Sequence, residues 1–204
     1  MSLIIEIAGG SGSGKSTLAK NLVKALQGSV LITHDDYYRE SCGCTEDFNY
    51  DHPGAFETEL LLEHLDRLAL GYGVDTPTYD YSLHRRSEEK KHIEPVPVII
   101  LEGILVLENE ELRKRASLKI FVDTPEEDRL RRRIKRDMRD RGRSEESVIK
   151  QFKSTVKPMH DMYVEPEKEF ADIVVKNGGK NEAVIKAITE KINSLLAKEL
   201  SASR

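Results

Sequence analysis

The sequence lacks most of the features that mark secreted proteins, membrane-spanning proteins and proteins with structural metal sites. Its 204 residues include two cysteines, Cys42 and Cys44, too few for a disulfide framework or a four-ligand structural zinc site. Its longest strongly apolar runs, such as residues 96–101, fall far short of the roughly 18–20 residues that cross a bilayer. The first apolar stretch, residues 3–8, ends at once in two glycines, unlike the core of a signal peptide. We therefore expect a soluble, cytoplasmic protein.

Charge is unevenly distributed along the chain. The formal net charge is −4, yet residues 129–143 contain nine basic side chains against two acids. A nucleic-acid-binding domain is usually basic as a whole, whereas the remainder of this chain is acidic. The basic segment therefore favours a local anionic ligand over a nucleic-acid surface.

Short β-branched segments alternate with amphipathic helical patterns. The former predict five strands, at residues 3–8, 30–33, 98–101, 118–122 and 173–175. The latter predict helices at residues 18–26, 57–70, from 124 onward and at 181–200. This alternation predicts an α/β fold, with a parallel sheet covered by helices on both faces. The length fits one domain over residues 1–204, and residues 37–95 are predicted to form a lobe added at one sheet edge.

The helix predicted after residue 123 has an unusual composition. Thr124 is predicted to cap it, with Pro125 in its first turn and an acid three residues after the threonine. Leu130, Ile134 and Met138 recur every four residues and predict an apolar stripe. Most other positions of this helix are basic.

One segment matches the nucleotide-binding pattern G-x-x-x-x-G-K-[ST]. It reads Gly9-Gly10-Ser11-Gly12-Ser13-Gly14-Lys15-Ser16-Thr17. The glycines let successive backbone N–H groups point at phosphate oxygens, and the following helix adds a partial positive charge. Lys15 can reach the β- and γ-phosphates, and the Ser16 hydroxyl can ligate Mg²⁺. Because a chance match in a chain of this length is on the order of one in a hundred, this phosphate loop predicts nucleoside triphosphate binding.

Two acidic positions follow predicted strands. Glu102 ends the strand at residues 98–101, where an acid in phosphate-loop proteins helps to hold Mg²⁺. Asp35 follows the second strand, and its carboxylate could accept the proton of a substrate hydroxyl that attacks the γ-phosphate. A solvated turn is the alternative for Asp35, and neighbouring His34 is a less plausible base.

The basic segment offers a third component of phosphate transfer. Arg136, Arg141 and Arg143 could close over a triphosphate and neutralise the transferring group. Seen in isolation, arginine-rich helices are more often solvated faces or partner surfaces. Gly142, between two arginines, favours a mobile lid, which we predict at residues 129–147.

With these motifs in order, the chain resembles the uridine–cytidine kinase family, a branch of the phosphoribulokinase-type phosphate-loop kinases. The resemblance spans residues 5 to about 192. Besides the phosphate loop, it rests on the segments HDDYY at residues 34–38, NYDHP at 49–53, PTYDY at 77–81, HRR at 84–86, LEGIL at 101–105, FVDT at 121–124, RRIKRD at 132–137, RGR at 141–143, KPM at 157–159 and EP at 165–166.

The resemblance implies roles for several matching side chains. Asp35 would be the general base, and Lys15 and Arg136, identified above from the phosphate loop and the basic segment, are the other predicted catalytic residues. The other implied substrate-binding residues are Asp51 and Arg133 at the ribose hydroxyls with Gln151 assisting, and Tyr79, Tyr81 and His84 around a pyrimidine base with Tyr38 lining the pocket.

The resemblance also implies a phosphate-loop nucleoside triphosphatase fold with a five-stranded parallel sheet and a small added nucleoside-binding lobe. The implied reaction moves the γ-phosphate of ATP or GTP to the 5′-hydroxyl of uridine or cytidine, with Mg²⁺, in pyrimidine salvage. Nucleic acid and membranes are not implied as partners, whereas a homotetramer is. Three alternatives remain: a related kinase of a sugar phosphate or pantothenate, a non-catalytic nucleotide-binding module, and nucleic-acid binding through the basic helix.

Overall fold

The predicted α/β architecture is confirmed. The structure, a computed structural model, describes residues 2–40, 48–81, 83, 85–176 and 178–202. The five strands of its main sheet are β1 (Leu3–Ala8), β2 (Ser29–Thr33), β7 (Val98–Glu102), β8 (Leu118–Asp123) and β9 (Ile173–Lys176). They lie in the order β2-β7-β1-β8-β9, and every neighbouring pair is parallel.

Helices lie on both faces of this sheet. The helices are α1 (Lys15–Ala25), α2 (Thr58–Ala69), α3 (Glu110–Arg115), α4 (Glu126–Arg141), α5 (Glu145–Gln151), α6 (Lys157–Met159) and α7 (Glu182–Ala202). The 3₁₀ turns His34–Tyr37, Pro53–Ala55 and Glu165–Phe170 and the π-helical turns Phe152–Val156 and His160–Val164 complete the helical segments. Helix α1 begins three residues earlier than predicted, because the end of the phosphate loop already forms its first turn.

Strand β1 shows why both faces are covered. Its side chains alternate, so that Ile5 and Ile7 enter one apolar cluster with α1 and α7, while Ile4 and Ala8 enter another with α2. A strand with apolar side chains on both faces is typical of a parallel sheet buried on both sides. Glu6, also fully buried, is the exception in β1.

The described residues of the segment predicted as an added lobe include four short strands. These pair into two small antiparallel ribbons, β3 (Val74–Thr76) with β6 (Lys91–Ile93) and β4 (Tyr79–Asp80) with β5 (Arg85–Arg86). Helix α2 lies within the predicted bounds of 37–95, yet Leu61, Leu65 and Leu68 on it pack into the same apolar cluster as the main sheet.

Helix α4 departs from its sequence prediction in two ways. Thr124 does not cap it: Pro125 is the N-cap residue, and the Thr124 hydroxyl donates to the phosphate loop instead. The buried stripe of α4 is charged, because Arg129, Arg133 and Asp137 face inward while Met138 is exposed. The helix packs against the polar phosphate loop, so the four-residue period of its buried side is carried by polar side chains.

The carboxyl ends of three adjacent strands converge. Glu102 at the end of β7 pairs with Ile7 of β1 on one side and with Thr33 of β2 on the other. The phosphate loop after β1 and the 3₁₀ turn after β2 therefore emerge beside Glu102. Among the described helices, none is both long enough and apolar enough to cross a membrane.

Candidate active site

The phosphate loop is a tight backbone turn between β1 and α1. Gly14, in the left-handed conformation with φ of 100°, directly precedes the first residue of α1. Gly12 has φ of 82°, and a Cβ there would lie 2.3 Å from the carbonyl oxygen of Arg129. Both positions require glycine, the first for its dihedral angles and the second also for the close approach of α4. Lys15, in the first turn of α1, is buried.

Side chains near the start of α4 hold the phosphate loop from one side. The hydroxyl of Thr124 and a guanidinium N–H of Arg132 both donate to the carbonyl oxygen of Ser13, at 2.9 and 3.0 Å. A guanidinium N–H of Arg133 donates to the Ser11 hydroxyl at 2.8 Å. The roles of Thr124 and Arg132 were missed from sequence, because neither has a place in the loop motif.

Ser16 and Glu102 supply adjacent oxygen atoms at the end of α1 nearest the loop. The Ser16 hydroxyl donates to the buried Glu102 carboxylate, whose pKa is raised by burial and partly lowered again by the charge of Lys15. A hydroxyl and a carboxylate are the hard ligands that suit Mg²⁺, which usually keeps several waters. This pair therefore fits Mg²⁺. No group of three or more His, Cys, Asp or Glu side chains within the described ranges could hold a metal ion on its own.

Asp35 lies in the 3₁₀ turn after β2, at the same end of the sheet. The Tyr81 hydroxyl donates to its Oδ2 at 3.4 Å. Its Oδ1 is buried and has no hydrogen-bond partner within the part of the chain that the structure describes. One carboxylate oxygen thus accepts a hydrogen bond from a tyrosine, and the other is buried without a partner among the described residues.

The residues on either side of Asp35 make different contacts. Asp36 accepts a hydrogen bond from the backbone N–H of Tyr79 at 3.4 Å, and burial raises its pKa to about 6. His34 is buried and stacks on Phe56 with ring centroids 3.9 Å apart. Burial lowers the pKa of His34 to about 3, which makes it a neutral packing residue and a weaker candidate base than Asp35.

Four aromatic residues from three segments of the chain form what we call the tyrosine cluster: Tyr38, Tyr50, Tyr79 and Tyr81. The ring of Tyr38 meets those of Tyr50 and Tyr79 edge-on, at centroid distances of 5.1 and 5.3 Å. The Tyr79 hydroxyl donates to that of Tyr50 at 3.2 Å, and the Tyr81 ring lies 5.4 Å from that of Tyr79. Three of these residues were predicted as pocket residues, and the structure brings them together. His84, predicted with them, lies outside the described residues, as do Cys42 and Cys44.

The predicted ribose-binding residues lie between the tyrosine cluster and the phosphate loop. Arg133 is buried, and besides Ser11 it donates to the Gln151 side chain at 3.0 Å. Asp51 is also buried. Burial raises its pKa, and the positive charge of Arg133 is the largest opposing effect. Sequence reasoning had not linked Arg133 to the phosphate loop.

The three arginines predicted to close over a triphosphate lie around one buried acid, Asp137. Arg136 also reaches the Ser11 hydroxyl at 3.5 Å, Arg141 lies over the Tyr81 ring with its guanidinium carbon 4.6 Å from the centroid, and Arg143 donates to Gln151. Asp137 was missed from sequence. The spacing of four between Arg133, Asp137 and Arg141 is the signal that could have found it, because such residues share one helix face.

Comparisons with known proteins match most of the chain to one family. The model of the phosphoribulokinase / uridine kinase family matches residues 4–184. Uridine kinases of Staphylococcus haemolyticus and Lactobacillus johnsonii are 47% and 48% identical over 202 residues, covering 96% of this chain and 98% and 96% of theirs. The phosphoribulokinase structure from Rhodobacter spheroides superposes with a TM-score of 0.62 at 18% identity, covering 86% of this chain and 70% of that one. At that identity it supports the fold alone.

Proposed function

The chain belongs to the phosphoribulokinase / uridine kinase family, and we propose that it transfers the γ-phosphate of ATP to the 5′-hydroxyl of uridine or cytidine. The observation that carries this proposal is the identity of about 47% to proteins named uridine kinase over nearly the whole of both chains. The arrangement of Asp35, the tyrosine cluster and the phosphate loop supports it. Among the described residues, no specific contact favours another substrate class.

Asp35 is the proposed general base. Its Oδ1 is free of hydrogen bonds within the described residues and buried, while the Tyr81 hydroxyl fixes Oδ2. A 5′-hydroxyl that donates to Oδ1 would pass its proton there as the oxygen attacks the γ-phosphorus and the bond to the β-phosphate oxygen breaks. Because this transition state is loose, an ordinary carboxylate suffices to orient the nucleophile.

The phosphate side of the site is proposed to work by charge and backbone contacts. The loop N–H groups and Lys15 would hold the β- and γ-phosphates, and Arg136, Arg141 and Arg143 would neutralise charge on the transferring group. Ser16 and Glu102 would hold Mg²⁺, which supplies positive charge at the phosphates when it is bound. None of these contacts depends on the donor base, so GTP as an alternative donor is part of the same proposal.

The nucleoside is proposed to lie between Asp35 and the tyrosine cluster. Flat aromatic rings from Tyr38, Tyr79 and Tyr81 suit a pyrimidine base, and His84 is proposed to read its 4-position. The buried Asp51 carboxylate, with Arg133 and Gln151, suits a pair of ribose hydroxyls, since it can accept from both. Residues 37–95 would then be the nucleoside lobe and 129–147 the lid.

Product analysis tests this proposal directly. We expect γ-labelled ATP to give labelled UMP with uridine and labelled CMP with cytidine, as resolved by chromatography. 5′-Deoxyuridine, which keeps the base and both ribose hydroxyls, should bind and yield no labelled product. Label transferred to 5′-deoxyuridine, or no label transferred to either nucleoside, would refute the proposed acceptor. Mass determination of the enzyme in solution tests the separate proposal of a tetramer.

A further inference from the structure

Asp137 is the most buried charged group of the arginine-rich region. Its side chain has 0% exposure and lies within 4.0 Å of four guanidinium groups. The closest is Arg136, whose Nε donates to Oδ1 at 2.8 Å; Arg133, Arg141 and Arg143 lie at 3.5, 3.6 and 3.8 Å. We call these four residues the arginine cluster. The Asp137 carboxylate thus faces four positive charges, and Asp51 is a further acid whose charge acts on Arg133.

Each member of the arginine cluster also makes a second contact inside the candidate site. Arg133 and Arg136 reach the Ser11 hydroxyl in the phosphate loop. Arg141 lies over the ring of Tyr81, whose hydroxyl donates to Asp35. Arg143, with Arg133, donates to Gln151. Asp137 is therefore the common centre of contacts that reach the phosphate loop, the candidate base and the proposed ribose side.

Asp137 lies in the last turns of helix α4, where the chain reverses its direction. Helix α4 ends at Arg141, and Gly142 turns the chain with φ of 61°. The backbone N–H groups of Gly142 and Arg143 both donate to the carbonyl oxygen of Asp137. This turn folds the chain back, and the Arg143 guanidinium therefore lies 3.8 Å from the Asp137 carboxylate.

Stability alone is a weak reason to keep a charge here. Burying an ion pair costs much of the energy that its attraction returns, and extra like charges around it repel one another. Asp140 provides a contrast on the same helix, because it pairs with Arg139 at the surface, where such a pair contributes little. The two acids of the basic segment are thus in opposite environments.

We propose that Asp137 is a positioning residue of the phosphate-transfer site: its carboxylate holds Arg136, Arg141 and Arg143 in place for a triphosphate. The proposal rests on the proposed function only in taking the ligand to be a nucleoside triphosphate. With Asp137 present, the guanidinium groups are gathered before the anion arrives. Without its charge, they repel one another and turn toward solvent, so a bound triphosphate must order them itself.

The test compares Asp137→Asn with the matched control Asp140→Asn. We measure ATP affinity by calorimetry without nucleoside, together with kcat and the thermal midpoint. Asp137→Asn should weaken ATP binding by about tenfold or more, which corresponds to about 1.4 kcal/mol or more of binding free energy. It should also lower kcat. Asp140→Asn should match the unsubstituted enzyme. Because ATP binding is measured alone, an enzyme that binds ATP but does not phosphorylate uridine would refute the proposed function and leave this test intact.

A double-mutant cycle with Arg141→Gln separates positioning from a merely structural role. If Asp137 acts through Arg141, the arginine substitution should weaken ATP binding several-fold in the natural background and much less in Asp137→Asn. Equal losses in both backgrounds, or unchanged ATP affinity in folded Asp137→Asn, would overturn the proposal. Should Asp137→Asn fail to fold, Asp137→Glu replaces it in the cycle. This variant keeps the charge but displaces it by one methylene. An ATP affinity below that of the unsubstituted enzyme supports the proposal, and an unchanged ATP affinity overturns it.

Discussion

The phosphate loop and the tyrosine cluster lie at the same end of the sheet but are built by different means. The loop is one continuous segment whose shape is set by glycine dihedral angles and by contacts with α4. The tyrosine cluster draws its members from three separate segments of the chain, and its geometry depends on side-chain packing. A substitution in the loop should therefore disturb a phosphate donor, whereas one in the cluster should disturb the acceptor.

Asp35→Asn should give the largest effect and should separate chemistry from both binding regions. The amide keeps the size of the side chain but removes the proposed proton acceptor, so kcat should fall by about 10²- to 10⁴-fold. ATP affinity, measured by calorimetry, should stay within about twofold, because no described loop residue bonds to Asp35.

Asp36→Asn is the control for that substitution. Asp36 holds the backbone of Tyr79, so its loss should raise KM for uridine more than it lowers kcat. If Asp36→Asn were the variant that lost turnover while Asp35→Asn retained it, the base would be the second acid.

Gly12→Ala should test the loop side of the comparison. The added Cβ would meet the backbone of Arg129 at 2.3 Å, so the loop or α4 must move, and ATP affinity should fall by about tenfold or more. Gly71→Ala is a matched control, since Gly71 has a similar φ of 90° but open space around it. That control adds only the backbone strain of about 1–2 kcal/mol. Equal ATP affinities for the two variants would contradict the role given to the contact between the loop and α4.

Tyr79→Phe should test the cluster side with a smaller effect. The variant loses the hydroxyl that donates to Tyr50, and one such hydrogen bond contributes about 0.5–1.5 kcal/mol. KM for uridine should therefore rise by about two- to tenfold, with ATP affinity unchanged. Tyr72→Phe, at an exposed tyrosine, should change neither quantity. A loss of ATP affinity in Tyr79→Phe would show that the two regions are not separable.

Glu6→Gln should have the smallest effect on activity and a clear effect on stability. Burial raises the pKa of Glu6 to about 8 in the folded protein, against an ordinary value of 4.5. The folded state therefore binds more protons between those values, and stability contributed by protonated Glu6 is lost as pH rises from about 4.5 to 8. The glutamine variant should melt several degrees higher at pH 8.5 and close to the unsubstituted protein at pH 4.5. Identical melting curves at pH 8.5 would contradict a buried Glu6 that has no hydrogen-bond partner among the described residues.

The parts of the fold that follow from local pattern were predictable. Strand β1, the phosphate loop and the start of α1 form one uninterrupted signal, and all five main strands lie where β-branched segments predicted them. Asp35 and Glu102 could be placed at one edge because parallel strands share their carboxyl ends.

The parts that depend on a neighbour were not predictable. The apolar residues of α4 predicted an apolar buried face, but the buried face is charged. The reason is that α4 packs against the polar phosphate loop rather than the sheet. The bond from Thr124 to Ser13 joins residues 111 positions apart and replaced the predicted helix cap. Nothing in the local sequence distinguishes Asp137 from the other charged residues around it. Its contact with Arg143 depends on the turn at Gly142, which brings the Arg143 guanidinium to the Asp137 carboxylate.

The most direct test of the central claim is the rate of ADP formation from ATP and Mg²⁺ with a panel of acceptors. The panel contains uridine, cytidine, a purine nucleoside, ribulose 5-phosphate and pantothenate. We expect rapid turnover with uridine or cytidine alone, because the phosphate loop is common to phosphate-loop kinases and the tyrosine cluster is proposed to select a pyrimidine nucleoside. Turnover with a non-nucleoside and none with uridine or cytidine would contradict it.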